Sequence, residues 1–473
     1  MKTKNAFIIF GITSNLAQTK LIPALYDLEK NNLLSDDFLV IGIGRNEKTA
    51  DDFHGYLNQI LYTKNRHHQH PIEKKVSDRL LSKISYLQGD VTNQDLYQKL
   101  VKLTKSTNKI FYLATYPNLY QTIFASLISH GLSKQGALWS KLIIEKPLGT
   151  DLESAQNLNK LLSKYFEEDQ IFRLDHYLGK ETLQNIIDFR FGNNIFEPLI
   201  NSNYVDNIQI TAAEDFGIGK RGNYYDQVGA LKDVGQNHIL QLLALATMDR
   251  PADYTNQDIT KERIKLIKSL LPMPENIVLG QYKGYLQEEN VSPNSKTDTF
   301  FALKTFINND RFRHVPIYIR AGKMLATTAT EANIIFKSPA NKLFQRLECH
   351  GEQNVLTYRI QPNEGIVLKI LVRDHGHKRV LKPSRMQFCN AYLPGEPVDA
   401  YEKLIYDAIN GDQTFFNDAP EVEAQWKFID PLTRRCPKPL TYPPQTWGPQ
   451  EADELIEKDG KKWIKPSEEF CPT

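Results

Sequence analysis

Four short apolar runs near the beginning of this sequence constrain its fold more than any other feature. They are Ala6–Phe10, Phe38–Ile43, Ile110–Ala114 and Lys141–Glu145. Runs of this kind are typical of parallel strands covered on both faces, and segments with helical spacing lie between them, around 93–105 and 118–131. The alternation predicts a Rossmann-like, doubly wound α/β domain over residues 1–175.

Beyond residue 180 the pattern changes to an alternation of apolar and polar residues. The alternating segments are Asn207–Ala212, Thr299–Phe306, Val315–Arg320, Asn333–Lys337, Val355–Ile360 and Ile366–Val372. Period-two segments in series predict a larger α+β domain over residues 176–473, built on a mostly antiparallel sheet. We expect the apolar helical run that holds His238, and a helix over Ala400–Ala408, to cover one face of that sheet.

Charge and cysteine content exclude several classes of protein. Lys and Arg number 58 against 56 Asp and Glu in 473 residues, so nothing indicates binding to nucleic acid or to an anionic membrane. The apolar run before Gly11 is too short for a signal peptide, which predicts a cytoplasmic protein. Cys349, Cys389, Cys436 and Cys471 are scattered, and we expect them to be buried or free thiols.

The segment RLDHYLGKE, residues 173–181, concentrates chemically active side chains. His176, Tyr177 and Lys180 are able to donate several hydrogen bonds to one dianion. Asp175 beside them is a carboxylate that must face elsewhere, and His238 lies in an otherwise apolar helical run where an unpaired imidazole is costly to bury. A buried Asp oriented toward a buried His makes a general base, so this pair is the candidate catalytic centre.

RLDHYLGKE resembles the active-site signature of the glucose-6-phosphate dehydrogenase family, and further blocks of that family follow in order along nearly the whole chain. The blocks are FGITSNLAQTKLIPALYDL (10–28), IGIGR (41–45), YLATYP (112–117), IIEKPLGTD (143–151), RGNYYD (221–226), KDVGQNH (232–238), VLGQYKGY (278–285), IRAGK (319–323), DAYEKLIYDAINGDQTFF (399–416) and YPPQTWGPQEADELIEKDGKKW (442–463). Ordered blocks over this length do not arise by chance.

The resemblance implies an NADP-dependent oxidoreductase that converts D-glucose 6-phosphate to 6-phosphogluconolactone, the first step of the oxidative pentose phosphate pathway. It makes His238 the base that removes the proton of the C1 hydroxyl, with Asp175 orienting the imidazole. It also implies substrate contacts from several other positions. These are His176, Tyr177 and Lys180 at the phosphate, Lys20, Lys146 and Lys323 as further cations, and Glu214 and Asp226 as acceptors for sugar hydroxyls.

Cofactor binding is expected at the turn after the first strand. Gly11, Ser14 and Leu16 occupy a loop in which family members usually show G-x-x-G-D-L-A, so Ser14 replaces the second glycine. Ser14 would either crowd the phosphates or cap the following helix. Arg45 ends the second strand, where a guanidinium suits the 2′-phosphate of NADP rather than the free ribose of NAD, and the resemblance places Lys146 near the nicotinamide.

Several departures from the family pattern keep other readings open. Asn15 replaces the usual acidic residue of the loop, Tyr116 replaces a proline, and Thr328 stands where a second substrate lysine is common. The chain is therefore a glucose-6-phosphate dehydrogenase, a relative acting on another hexose phosphate such as an amino sugar, or a non-catalytic dinucleotide- or sugar-phosphate-binding protein. Reduction of NADP with a panel of hexose phosphates separates the three.

No metal site is expected. The histidines within Asn65–His70 lie in a polar stretch before Pro71 that is more typical of a loop, and no carboxylate pair completes a site. The resemblance implies a homodimer or homotetramer, with glucose 6-phosphate as a small-molecule substrate.

Overall fold

The computed structural model describes the chain except for residues 1–3, 64–70, 134–135, 339–351, 376–379, 435–437, 468–469 and 472–473. The backbone contacts divide it into two compact units. The first unit contains residues 1–180, 255–257 and 397–422, and the second contains residues 181–254, 258–396 and 423–473. The histidines of Asn65–His70, together with Cys349 and Cys436, lie outside the described residues.

A six-stranded parallel sheet forms the first unit. Its strands are β1 (Lys4–Phe10), β2 (Leu39–Gly44), β3 (Ile84–Gln88), β4 (Thr107–Leu113), β5 (Ser140–Ile144) and β6 (Ile171–Arg173). The order β3-β2-β1-β4-β5-β6 places β1 at the centre, where Phe7, Ile8 and Ile9 are fully buried. This is the strand order of the doubly wound dinucleotide-binding fold, so the prediction of a Rossmann-like domain is confirmed.

Helices alternate with these strands and continue through the second unit. They are α1 (Ile22–Lys30), α2 (Ala50–Thr63), α3 (Lys74–Lys83), α4 (Gln94–Leu103), α5 (Tyr120–Ser129), α6 (Leu152–Ser163), α7 (Glu181–Gly192), α8 (Gly222–Ala230), α9 (Leu240–Thr247), α10 (Asn256–Lys268), α11 (Ala400–Asn410), α12 (Ala419–Arg434) and α13 (Glu451–Glu457). In addition, two π-helical segments cover Ala17–Leu21 and Leu231–Ile239. Pro23 lies in the first turn of α1, where its missing N–H costs nothing.

The segment 397–422 returns from late in the chain and completes the first unit. Lys141 Nζ donates to the carbonyl of Ala408 at 2.8 Å, and the rings of Phe172 and Phe416 meet edge to face at 4.9 Å. A helix over Ala400–Ala408 is confirmed, but the expectation that it covers the antiparallel sheet is wrong. Amphipathic spacing identifies the buried face of a helix and does not identify the sheet on which that face packs.

A nine-stranded sheet forms the second unit. Its strands are β7 (Val205–Ala213), β8 (Ile277–Tyr282), β9 (Phe300–Phe306), β10 (Pro316–Gly322), β11 (Ala329–Phe336), β12 (Val355–Gln361), β13 (Gly365–Arg373), β14 (Leu381–Cys389) and β15 (Leu440–Tyr442). Neighbours are mostly antiparallel, while β10 pairs with β7 and β15 pairs with β8 in parallel. Each of the period-two segments is a strand of this sheet, which confirms the predicted architecture.

Two cysteines are paired, which corrects the expectation of buried or free thiols. Cys389 at the end of β14 and Cys471 near the end of the chain form a disulfide, with Cα atoms 5.6 Å apart across 82 residues of sequence. Both pack in a small apolar cluster with Val367 and Phe470. Spacing along the chain carried no information about this proximity, because the fold brings the last residues back to the sheet.

None of the helices in the described part of the chain combines the length and the apolar character needed to cross a membrane.

Candidate active site

The turn after β1 has the geometry of a phosphate-binding loop. Gly11 has φ +91°, and a Cβ atom there would lie 2.5 Å from the carbonyl oxygen of Ala114. The N–H groups of Gly11 and Ile12 both donate to the carbonyl of Ile43, at 3.0 and 3.1 Å. The loop is therefore held tightly at the carboxyl edge of the central strands, where this fold binds dinucleotides, and only glycine fits its first position.

Ser14 caps the helical segment that follows the loop. Its N–H donates to the carbonyl of Gly11 at 2.9 Å, and its hydroxyl accepts a hydrogen bond from the N–H of Ala17 at 3.1 Å. Leu16, which lies between Ser14 and Ala17 in the chain, is half-buried. Of the two roles predicted for Ser14, the structure shows the capping role.

Lys20 lies in the first π-helical segment, Ala17–Leu21. Its Nζ is 4.0 Å from Asp399 and 5.9 Å from the ring centre of Tyr401. Both partners belong to the segment that returns to this unit. π-helical turns are rare in proteins as a whole, and those that occur are often found at functional sites. The backbone here therefore supports a functional role for Lys20 that helical spacing alone did not indicate.

Arg45 and Lys146 follow two other strands of the parallel sheet. Arg45 comes directly after β2 and is exposed, as required of a guanidinium that contacts a 2′-phosphate. Lys146 follows β5 after Glu145, a residue that the sequence analysis missed. Burial raises the pKa of Glu145, while hydrogen bonds from the hydroxyls of Tyr112 and Tyr401 and the charge of Lys146 act in the opposite direction. These residues fit the cofactor edge of the fold.

The signature 173–181 begins in β6 and turns back on itself. Arg173 is buried and donates to the carboxylate of Glu168 through both terminal nitrogens, which fixes the strand end. Asp175 is fully buried and accepts a hydrogen bond from the N–H of Tyr177 at 3.0 Å. A Cβ at Gly179 would lie 2.6 Å from the carbonyl oxygen of Ala400, so glycine lets the turn pack against α11.

The predicted phosphate-binding side chains are neighbours on this turn. The ring of His176 lies 5.2 Å from that of Tyr177 and stacks on Tyr401 at 6.3 Å. Lys180 Nζ lies 5.2 Å from the ring centre of Tyr177. His176 and Lys180 are half-buried, so the turn gathers an imidazole, a phenol and an ammonium group within reach of one anionic group.

In the second unit, His238 lies in the second π-helical segment, Leu231–Ile239, and is 5% exposed. Its backbone N–H donates to the side-chain oxygen of Asn237 at 2.7 Å. Asp233 lies in the same segment and accepts hydrogen bonds from Arg221 and Tyr224, each at 3.2 Å. Asp233 lies within the block KDVGQNH but was not predicted as a site residue.

Glu214 and Lys323 follow the adjacent parallel strands β7 and β10 and form an ion pair. The Lys323 side chain is buried, and that of Glu214 is about one-third exposed, at 32%. Lys323 Nζ also lies 5.2 Å from the ring centre of Phe216 and 5.4 Å from that of Tyr225. Because neighbouring parallel strands end at one edge, these two predicted site residues are brought together.

Asp226 and Thr328 are engaged inside the second unit. The carboxylate of Asp226 accepts hydrogen bonds from the hydroxyl of Tyr285 at 2.9 Å, from the N–H of Ser292 at 3.1 Å and from the hydroxyl of Ser295. The hydroxyl of Thr328 donates to Asp215 at 2.5 Å. These contacts favour a structural role for Asp226, and its role as a sugar-hydroxyl acceptor stays a prediction.

Family models match both parts of the chain. A model described as glucose-6-phosphate dehydrogenase, NAD binding domain, matches residues 8–185, and one described as the C-terminal domain matches residues 187–464. Two relatives carry the name glucose-6-phosphate 1-dehydrogenase. That of Chlamydia muridarum is 39% identical over 96% of each chain, and that of Bacillus subtilis is 37% identical over 97% of this chain and 98% of its own.

Solved structures give the same result. The crystal structure of glucose-6-phosphate 1-dehydrogenase from Mycobacterium avium matches with a TM-score of 0.89 and 33% identity over 100% of both chains. A glucose-6-phosphate dehydrogenase in complex with its substrate glucose 6-phosphate matches with a TM-score of 0.89 and 31% identity over 98% of both chains.

Proposed function

The chain belongs to the glucose-6-phosphate dehydrogenase family, and we propose that it oxidises D-glucose 6-phosphate at C1 with NADP to give 6-phosphogluconolactone. The observation that carries this proposal is the family match over nearly the whole length, together with intact RLDHYLGKE and KDVGQNH segments. A decayed or purely regulatory relative would have no need to retain His238 and Asp175.

His238 is assigned the role of general base. Its neutral imidazole takes the proton of the C1 hydroxyl, and Asp175 orients the ring and stabilises the cation that forms. Burial of both side chains supports the assignment, because a desolvated base and a desolvated carboxylate interact more strongly with charge that develops during the reaction.

The turn of the signature is assigned to the substrate phosphate. His176, Tyr177 and Lys180 donate hydrogen bonds to the dianion, and each charge-assisted bond contributes about 1.5–3 kcal/mol. Lys20, Lys146 and Lys323 are assigned as further substrate cations, with Glu214 accepting from a sugar hydroxyl. The kcat/KM for an unphosphorylated sugar is therefore expected to be lower by orders of magnitude than that for the sugar phosphate.

The loop after β1 is assigned to the cofactor. The glycine conformation at Gly11, the cap at Ser14 and the exposed Arg45 fit a dinucleotide with a 2′-phosphate. When bound, NADP accepts the hydride that leaves C1. Lys146 follows β5 at the same sheet edge, which supports its assignment near the nicotinamide and the reacting carbon.

The test uses the purified full chain with NADP and a panel of sugars, read by the absorbance of the reduced nicotinamide. We expect glucose 6-phosphate to be turned over fastest and unphosphorylated glucose slower by orders of magnitude. Faster turnover of glucosamine 6-phosphate would instead identify a relative acting on an amino sugar, for which Thr328 in place of a common lysine is the motivating departure. Binding of NADP without turnover of any sugar would identify a non-catalytic family member.

A homodimer or homotetramer in the cytoplasm remains part of the proposal, on the family resemblance. Light scattering of the purified chain measures the assembly, and a monomer at working concentration would contradict it.

A further inference from the structure

The π-helical segment that carries His238 begins at a sharp break in the backbone. Helix α8 runs into this segment through Gly229, which has φ 74° and ψ 171° and is not helical. Only glycine adopts this conformation without strain. The break leaves the N–H groups at the start of the next segment without helical acceptors, so another part of the chain has to supply them.

Asp298 supplies both acceptors. Its side-chain Oδ2 accepts a hydrogen bond from the N–H of Leu231 at 2.8 Å, and its own carbonyl oxygen accepts one from the N–H of Ala230 at 2.9 Å. A Cβ added at Gly229 would lie 2.3 Å from the Asp298 carboxylate. The glycine and the aspartate therefore fit each other closely, and the carboxylate caps the segment at its positive end.

The residue after Asp298 ties this cap to a second predicted site residue. Thr299 accepts a hydrogen bond from the N–H of Lys323 at 2.9 Å through its carbonyl, and its own N–H donates to the carbonyl of Gly280 at 2.8 Å. Residues 298 and 299 thus join the start of the His238 segment to the strand end that bears Lys323.

We propose that Asp298 is a positioning residue for the dehydrogenase reaction, which holds the π-helical segment in the register that places His238 for proton removal. The proposal rests on the function proposed above. Without the cap, the segment is released to shift its register, and a shift of one residue turns each side chain of the segment to a different direction around the helix axis. A small displacement of a catalytic group is enough to lower the rate about a hundredfold.

The charges around Asp298 agree with an ionised cap at working pH. Burial raises the pKa of Asp298 to about 6, opposed by its backbone hydrogen bonds and by the charge of Lys232. Asp298 lines a cavity of about 440 Å³, and Lys296 and Lys438 line it too. The phenols of Tyr225 and Tyr442 interact electrostatically with the carboxylate, and burial raises the pKa of each well above its usual range.

The test compares Asp298→Ala with Asp298→Asn. We expect the alanine variant to lose about tenfold to a hundredfold in kcat, with KM for glucose 6-phosphate and NADP changed by less than about threefold. We expect the asparagine variant to recover most of kcat, because its amide oxygen still accepts from Leu231. Asp151→Ala is the matched control, since it removes a carboxylate that caps α6 by accepting from the N–H of Ser154 at 2.8 Å.

Gly229→Ala is the second route to the same effect. It crowds the carboxylate and also strains the break, so it should lower kcat at least as much as Asp298→Ala does. If Asp298→Ala does not fold, the kcat of Gly229→Ala tests the positioning role of Asp298 instead, and a kcat equal to that of the wild type would contradict it.

A readout independent of turnover separates this proposal from the assigned function. The rate at which diethyl pyrocarbonate modifies His238, followed by mass spectrometry of its peptide, should change at least about threefold in Asp298→Ala and stay constant in Asp151→Ala. An unchanged kcat and an unchanged modification rate in folded Asp298→Ala would overturn the proposal. An inactive wild-type protein would overturn the assigned function, and the modification rates would still decide whether Asp298 positions His238.

Discussion

The two π-helical segments carry two of the predicted site residues, but the chain holds them in different ways. The segment Ala17–Leu21, with Lys20, is capped by Ser14, three residues before the N–H that it binds. The segment Leu231–Ile239, with His238, is capped by Asp298, which is 67 residues away from Leu231 in sequence. The first arrangement is local and visible in the sequence, whereas the second exists only once the sheet of the second unit has formed.

The largest expected effect separates the chemical roles of the two segments. His238→Asn should lower kcat by about 10²–10⁴, because the amide is unable to take the proton of the C1 hydroxyl. Cofactor binding should stay close to that of the wild type. The measurement is a titration with the reduced cofactor, NADPH, followed by its fluorescence. Turnover equal to that of the wild type would refute the assignment of the base.

A smaller effect is expected at the first segment. Lys20→Gln should raise KM for glucose 6-phosphate about tenfold, since one charge-assisted hydrogen bond is lost, while kcat changes less. Steady-state kinetics over a range of sugar phosphate concentrations measure the split. Lys164→Gln, at an exposed lysine, is the control, and equal KM values in the two variants would remove Lys20 from the site.

The smallest effect concerns the local cap itself. Ser14→Ala should lower the free energy of unfolding by about 1 kcal/mol, because the N–H of Ala17 loses its side-chain acceptor. KM for NADP should rise by less than about threefold. Urea unfolding measures the first quantity and initial rates measure the second. A tenfold rise in KM with unchanged stability would instead make the Ser14 hydroxyl a direct cofactor contact.

Much of the fold was predictable because it depends on periodicity. Apolar runs such as Ala6–Phe10 indicate strands buried on both faces, and alternating segments such as Asn207–Ala212 indicate strands of the second kind of sheet. The site residues were predictable where a motif stated them, as in RLDHYLGKE.

The remaining features depend on contacts between residues that are distant in sequence. Apolar spacing distinguishes a helix from a strand but not an α-helix from a π-helix, so the backbone around His238 was not foreseen. Asp226 and Asp233 are both acidic residues near the same motif, and only the hydrogen bonds from Tyr285 and Ser292 set Asp226 apart. The pairing of Cys389 with Cys471 was likewise invisible to spacing.

The returning segment 397–422 has a consequence for synthesis of the protein. Domains usually fold in order as they leave the ribosome. Here the nucleotide-binding half is unable to complete its packing around Gly179 and Phe172 until Ala400 and Phe416 have been translated. For most of translation, the apolar side chains that pack against segment 397–422, such as Phe172, are not covered by it. A truncated product ending before residue 397 would leave them uncovered permanently.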